Sequence, residues 1–182
     1  MSLRKDGRNI FADETDRFGL SPDAYYFIGG LMKHVYSMTA ITNPLVNSYK
    51  RLVSGFEAPL HITWSVTNRS PLIRIPSSFG SGTRIELRSP DSAANPYLTI
   101  ALCLAAGLDG IKNKITPPEN IQKNIFHMTE EEKEQLHIKS LPTNLYDAVC
   151  AMEKDAFIRE ILGEHISNVY IGSKKDEWNR YC

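Results

Sequence analysis

The chain has 182 residues, 42% of them hydrophobic and 23% charged, with 21 basic side chains against 21 acidic ones. That is enough for one domain with its own core and too little to presume two. The balanced charge excludes a global field drawing the chain to nucleic acid or an anionic membrane, so any anion binding must come from local placement of charge.

Cys103, Cys150 and Cys182 are odd in number, widely spaced and without a CxxC pair. This argues against a disulfide framework or a zinc site and for a reducing cytoplasm. The longest strongly apolar stretch, 97–108, covers about twelve residues, well short of the roughly 20 that a membrane span requires. The opening does not read as a secretory signal, and Met1-Ser2-Leu3 reads equally as native sequence or as an expression scar.

Residues 4–20 are polar and predict irregular structure. Ser21-Pro22 then supplies an N-cap and a first-turn proline, and Tyr25, Ile28, Leu31, Val35 and Met38 recur at helical spacing, predicting a helix over 22–40. From Asn43-Pro44 to Pro59 the pattern is that of a loop carrying Lys50, Arg51, Gly55 and Glu57. Leu60, Ile62, Trp64 and Val66 alternate with His61, Thr63, Ser65 and Thr67, the mark of a half-buried strand. Short strands are expected near 72–76 and 84–88 around a Gly80-Ser81-Gly82 turn. Asn95-Pro96 opens a helix to about Gly110, apolar nearly all round and so expected to be central and buried. Thr129 with Glu132 fits a capping box, 145–162 reads as one amphipathic helix stopping at Gly163, and a last helix runs to Tyr181.

The chemistry gathers in the middle. In Thr83-Arg84-Ile85-Glu86-Leu87-Arg88, a strand puts Arg84, Glu86 and Arg88 on one face and Ile85 and Leu87 on the other. Taken alone this is a solvated, self-neutralising face. Arg74, between Ile73 and Ile75, and Arg69 at the mouth of that strand change the reading. Neighbouring strands would bring four arginines and one glutamate together, which is costly without an anion, and guanidinium forks match carboxylate and phosphate. Glu86 either balances this charge or holds Mg²⁺ against phosphate. Glu57, beside Gly55 and Pro59, reads as a bare pattern like a solvated loop carboxylate. His34, His61, His127, His137 and His165 lack ligand spacing and are expected to be structural or exposed.

Several motifs in register carry a resemblance: Asn47-Ser48-Tyr49-Lys50-Arg51-Leu52-Val53, Gly55-Phe56-Glu57-Ala58-Pro59, Asn68-Arg69-Ser70, Ile73-Arg74-Ile75-Pro76, Arg84-Ile85-Glu86-Leu87-Arg88, Ala94-Asn95-Pro96-Tyr97-Leu98 and 106–114. From about Lys5 onward the chain resembles the bacterial type I glutamine synthetases. The resemblance implies an α+β fold, antiparallel strands packed against helices, forming the C-terminal half of a glutamine synthetase/guanido kinase-like catalytic domain. Residues 1–182 would be a partial domain, without the N-terminal β-grasp domain, the first half of the catalytic domain and a segment beyond Cys182. It implies ATP-dependent joining of ammonia to L-glutamate through γ-glutamyl phosphate, with Mg²⁺ or Mn²⁺. It also implies a cytoplasmic dodecamer with no nucleic-acid or membrane partner.

Carried over residue by residue, Arg51 would hold glutamate, and Glu57 would bind ammonium on a closing flap and accept its proton. Arg69 would contact glutamate and the transferred phosphate, Arg74 the ATP phosphates, and Arg88 the phosphoryl group and glutamate. Glu86 would be a metal ligand. The paired glutamates that supply most metal ligands, and a histidine upstream of Arg4, are absent, so the chain by itself is expected to be inactive. The turn Phe79-Gly80-Ser81-Gly82-Thr83 lacks the lysine of many relatives, and Phe126 stands where adenylylated relatives carry tyrosine, as in the Gram-positive-like branch. A γ-glutamyl ligase acting on a polyamine and a non-catalytic anion-binding paralogue are the alternatives.

Overall fold

The structure is a computed structural model that describes residues 1–52, 58–66, 68 and 70–182. It opens with a hairpin that the sequence reading missed. β1 (Arg4–Lys5) pairs antiparallel with β2 (Arg8–Asn9). Asp6 and Gly7 both have positive φ, 50° and 78°, as a two-residue hairpin turn requires. Asn9 Nδ2 then donates to the carbonyls of Gly80 (3.1 Å) and Thr83 (2.7 Å), fixing the hairpin against the middle of the chain.

Helix α1 (Pro22–Thr42) starts as expected, the Ser21 hydroxyl accepting from the Ala24 amide at 3.2 Å. A short α2 (Val46–Arg51) follows within the stretch expected to be loop. Helix α3 (Pro96–Asn113) begins at Asn95, whose side chain accepts from the amides of Tyr97 and Leu98. It crosses α1 almost backbone to backbone. A Cβ added at Gly30 would lie 2.1 Å from the Ala106 carbonyl oxygen, and one at Gly110 would lie 2.0 Å from that of Tyr26.

α3 is central on one face only. Leu102, Cys103, Ala106, Gly107 and Gly110 are buried, but Tyr97 is 83% exposed and Ile100 57%. The all-round apolar sequence therefore gives one face packed on α1 and another left open, which corrects the expectation of a fully buried helix. Phe11, Leu20, Phe27, Ile28, Leu31, Met38, Leu72, Ile73, Ile85 and Leu102 form the centre of the core.

A second stitch ties α1 to α3. Asp109 Oδ2 accepts from His34 Nε2 at 2.8 Å and Lys33 Nζ at 3.0 Å, while Asn113 Nδ2 donates to Oδ1 at 2.6 Å. The Phe157 ring stacks on His34, centroids 3.9 Å apart. The hydrogen bond from His34, with those from Lys33 and its charge, outweighs partial burial and holds Asp109 below its ordinary 3.8. A depressed carboxylate stabilises the fold above its ordinary value, and that stability is lost as pH falls through the folded value. The urea midpoint should thus drop as pH falls below the ordinary carboxylate value of 3.8. Asp109→Asn should lower the midpoint at pH 7 and remove part of that acid dependence; identical pH profiles for the two proteins would refute the stitch.

The sheet is smaller than expected. β3 (Trp64–Ser65), β4 (Ile73–Arg74) and β5 (Glu86–Leu87) lie in the order β3-β4-β5, and β4 pairs antiparallel with β5 as expected. One pair departs from the expected antiparallel arrangement: β3 and β4 run parallel, Trp64 beside Ile73 and Ser65 beside Arg74. Parallel neighbours normally need a long crossover. Here the ladder is only two residues long. Pro71 and Pro76 flank β4 without N–H donors, which keeps it short.

The 60–66 segment divides its pairing. His61 bridges Ser140, with the Ile62 amide on the Lys139 carbonyl (2.7 Å) and the Leu141 amide on the Leu60 carbonyl (2.8 Å). Both of its edges are paired, and His61, Thr63 and Ser65 are buried rather than solvated. On the other side of the sheet, the Ile85 amide bonds to the Met1 carbonyl at 2.8 Å.

Beyond the sheet, α4 (Glu130–Gln135) carries the expected capping box of Thr129 and Glu132. The single helix expected over 145–162 is instead two, α5 (Leu145–Lys154) and α6 (Ala156–Leu162). Asp155 makes the break by accepting from the amides of Phe157 (3.0 Å) and Ile158 (3.3 Å), an N-cap in the middle of an amphipathic run. Gly163 (φ 78°) ends α6 as expected, and α7 (Glu164–Tyr181) completes the chain. Among the described residues, no helix is long and apolar enough to cross a membrane.

Candidate active site

β4 and β5 place Arg74 directly opposite Glu86, the cross-strand position in which unlike charges stabilise a sheet. Arg74 Nε lies 2.7 Å from Glu86 Oε2, with the side chains 33% and 37% exposed. The pair is an ion pair by distance, without an aligned Nε hydrogen bond. Surface pairs of this exposure contribute under about 1 kcal/mol, so its value lies in holding both groups at the surface rather than in stability.

Arg88 follows two residues after Glu86 on the same face. Its amide donates to the Leu72 carbonyl at 3.0 Å and its Nη1 to the Pro71 carbonyl at 3.2 Å, which ties the guanidinium to the entry of β4. Arg51 arrives from elsewhere. The last residue of α2, it donates from Nη2 to the carbonyl of Ser89, next to Arg88, at 2.5 Å. Arg74 and Glu86 are thus in contact across β4 and β5, while Arg88 and Arg51 are each tied to a backbone carbonyl close by in the chain, Pro71 before β4 and Ser89 after β5.

Arg84, expected on the same face, is engaged locally, its Nη1 on the Ser78 hydroxyl (2.9 Å) and the Gly82 carbonyl (3.3 Å). It stiffens the turn before β5. Glu57 and Arg69, both expected in the site, lie outside the described residues, as does Gly55.

Three positions not singled out by the sequence reading complete the surroundings of Arg51. Asn43 and Ser89 are buried, and Asn43 donates to the same Ser89 carbonyl. Asp91 is the third. Burial pushes its carboxyl up, but the Ala93 amide, the Ser48 hydroxyl and the positive charge of Arg51 together hold it below the ordinary 3.8. Only the Asn43-Pro44 pair at a helix end hinted at this cluster, and such a pair usually marks nothing more than a stop.

The sequence resemblance implies a divalent metal. Among the described residues no group of three or more His, Cys, Asp or Glu side chains is placed to hold a metal ion. Glu86 offers one carboxylate, already paired with Arg74. It fits a single ligand position and does not make a metal centre. A cavity of about 940 Å³ lined by Asp16, Phe18, Trp64 and the 116–123 segment contains none of the described candidate residues, Arg51, Arg74, Glu86 and Arg88.

Comparison with known proteins matches this geometry to a family. The family model described as glutamine synthetase, catalytic domain, matches residues 1–182. The glutamine synthetase of Methanosarcina mazei is 56% identical over 180 residues, covering 99% of this chain and 40% of its own length. That of Clostridium saccharobutylicum is 53% identical over 181 residues, covering 100% and 41%. A solved GmaS/ADP complex in its conformation 1 superposes with a TM-score of 0.82 at 41% identity, over 95% of this chain and 39% of that one. Apo GmaS without ligand gives 0.81 at the same identity, over 95% and 38%. The chain spans about two fifths of the length of the curated relatives it matches. On this agreement over its whole length, the chain belongs to the glutamine synthetase catalytic-domain family.

Proposed function

We propose that the chain supplies the glutamate- and phosphate-facing side of an ATP-dependent glutamate–ammonia ligase. The observation that carries this reading is that three separate segments of chain bring the Arg74–Glu86 pair, Arg88 and Arg51 to β4, β5 and the residues that flank them.

In the reaction, a γ-carboxylate oxygen of L-glutamate attacks the terminal phosphorus of ATP, and ADP leaves. Ammonia then attacks the acyl carbon and inorganic phosphate leaves. Both steps concentrate negative charge on oxygen, so preorganised guanidinium groups lower the barrier more than acid–base groups do. Arg51 holds the glutamate carboxylate, Arg88 and Arg69 bracket the phosphoryl group and glutamate, and Arg74 binds ATP phosphates. Glu57 binds ammonium and accepts its proton. Mg²⁺ or Mn²⁺, when bound, neutralises phosphate charge, with Glu86 as one ligand of a set completed by carboxylates beyond this chain. A cytoplasmic setting fits the unbridged Cys103, Cys150 and Cys182, and a dodecameric assembly is part of the same reading.

Two assays test it. The complete enzyme, given ATP, Mg²⁺ and L-glutamate, should release ADP with ammonia and not with putrescine; a preference for putrescine would reassign it to polyamine ligation. No turnover with either amine would favour a non-catalytic anion-binding role. This chain alone should show no ATP-dependent γ-glutamyl transfer, and turnover at metal saturation would overturn the assignment of the missing ligands.

A further inference from the structure

The buried cluster behind Arg51 has more hydrogen bonding than a helix stop needs. Asn43 is fully buried at the end of α1, its amide bonded to the Thr39 carbonyl at 2.8 Å. Both ends of its carboxamide are engaged. Nδ2 donates to the Ser89 carbonyl at 2.9 Å, and Oδ1 accepts from the Thr42 hydroxyl at 2.9 Å. The Asp91 amide donates to the Thr42 carbonyl at 2.8 Å, so the 89–91 segment is strapped to α1 at two points. The Ser89 carbonyl therefore carries two donors, Asn43 Nδ2 and Arg51 Nη2. A carbonyl has two lone pairs, and both are used.

Ser89 does not hold itself. Its own hydroxyl is buried without a hydrogen-bond partner among the described residues, so the orientation of this peptide rests on Asn43 and on the strap at Thr42. A buried carboxamide left unpaired costs about 1–3 kcal/mol, which is why an apolar residue would be the ordinary occupant of such a site. We propose that Asn43 is a positioning residue: it fixes the Ser89 carbonyl that aims the Arg51 guanidinium, and through Arg51 it sets the affinity for the glutamate carboxylate. This rests on the reading of Arg51 as a glutamate contact.

Two measurements separate the inference from that reading. The first follows rotation of the Arg51 guanidinium by ¹⁵N NMR in this chain. The second is steady-state kinetics of the complete enzyme. Asn43→Ala should release the guanidinium into fast rotation and raise the KM for glutamate about tenfold, with kcat within about twofold and the KM for ATP unchanged, the pattern of lost uniform binding. Thr42→Val, which removes only the hydroxyl that orients the carboxamide, is near-isosteric and keeps the test open if Asn43→Ala fails to fold. It should shift both readouts the same way by about threefold. A guanidinium that stays ordered in both variants overturns the inference. So does a parallel loss of kcat and of both affinities together with thermal stability, which marks a merely structural residue. A freed guanidinium with an unchanged KM for glutamate instead removes Arg51 from the glutamate site and overturns the functional reading.

Discussion

Gly30→Ala is expected to lower the thermal unfolding midpoint of the chain by roughly 6–12 °C, from a loss of about 3 kcal/mol. The substitution is among the mildest in chemical terms, and in an open helix it would stabilise by up to about 1 kcal/mol. Here the sign reverses. The added Cβ would sit 2.1 Å from the Ala106 carbonyl oxygen, 2.7 Å from the Gly110 nitrogen and 2.8 Å from its Cα. All three are backbone atoms, and backbone cannot rotate out of the way as a side chain does. The helices must separate, loosening the fully buried Phe27, Ile28, Leu31 and Leu102 along with them. Gly110→Ala meets the Tyr26 carbonyl at 2.0 Å and should cost about as much; the double variant should cost less than the sum, because one separation relieves both clashes. A midpoint for Gly30→Ala within 1 °C of the parent, by circular dichroism, would show that the crossing is looser than described.

That crossing also shows what could be read from the sequence and what could not. Helix starts were legible because caps are local: Ser21-Pro22, Asn95-Pro96 and Thr129 with Glu132 each satisfy amides within three residues. The break at Asp155 obeys the same rule, but an amphipathic pattern running unbroken across it hid the cap. Gly30 and Gly110 looked like two helical glycines 80 positions apart, and nothing local says that they face each other. Partnership was the general limit. The alternation over 60–67 identified an extended segment, yet Ser140 bridges it at His61 and β4 runs parallel to it, both decided by distant chain.

The site follows the same logic. Strand periodicity puts Arg74 and Glu86 on one surface only if the two strands are neighbours, and the register makes them so and brings the pair into contact. Arg84 fits the same period but bonds to its own turn, because a long side chain near a tight bend finds carbonyls close by. Arg51 belongs with Arg88 only through the Ser89 carbonyl, and no spacing in the sequence encodes that hydrogen bond.

Arg88→Lys is expected to lower the kcat/KM of the complete enzyme for glutamate by about 10²–10³-fold, equivalent to roughly 2.7–4 kcal/mol of transition-state stabilisation. Charge is preserved, so the loss measures geometry. A planar guanidinium offers several donors in a fixed fork, and one arm is committed to the Pro71 carbonyl at 3.2 Å. An ammonium group is a point donor on a flexible stem, and it cannot hold that carbonyl while meeting two oxygens of a phosphoryl group in parallel. The effect on folding should be small, about 1 kcal/mol for one weakened hydrogen bond, since the Arg88 backbone stays pinned by its amide on Leu72. Kinetics and urea unfolding on the same preparation therefore separate the two contributions. If kcat/KM falls only as far as the folded fraction does, Arg88 is a strap for the β4 entry and not a phosphoryl contact. If activity collapses in a fully folded protein, the surface of β4 and β5 that carries Arg74, Glu86 and Arg88 is where negative charge develops during the reaction.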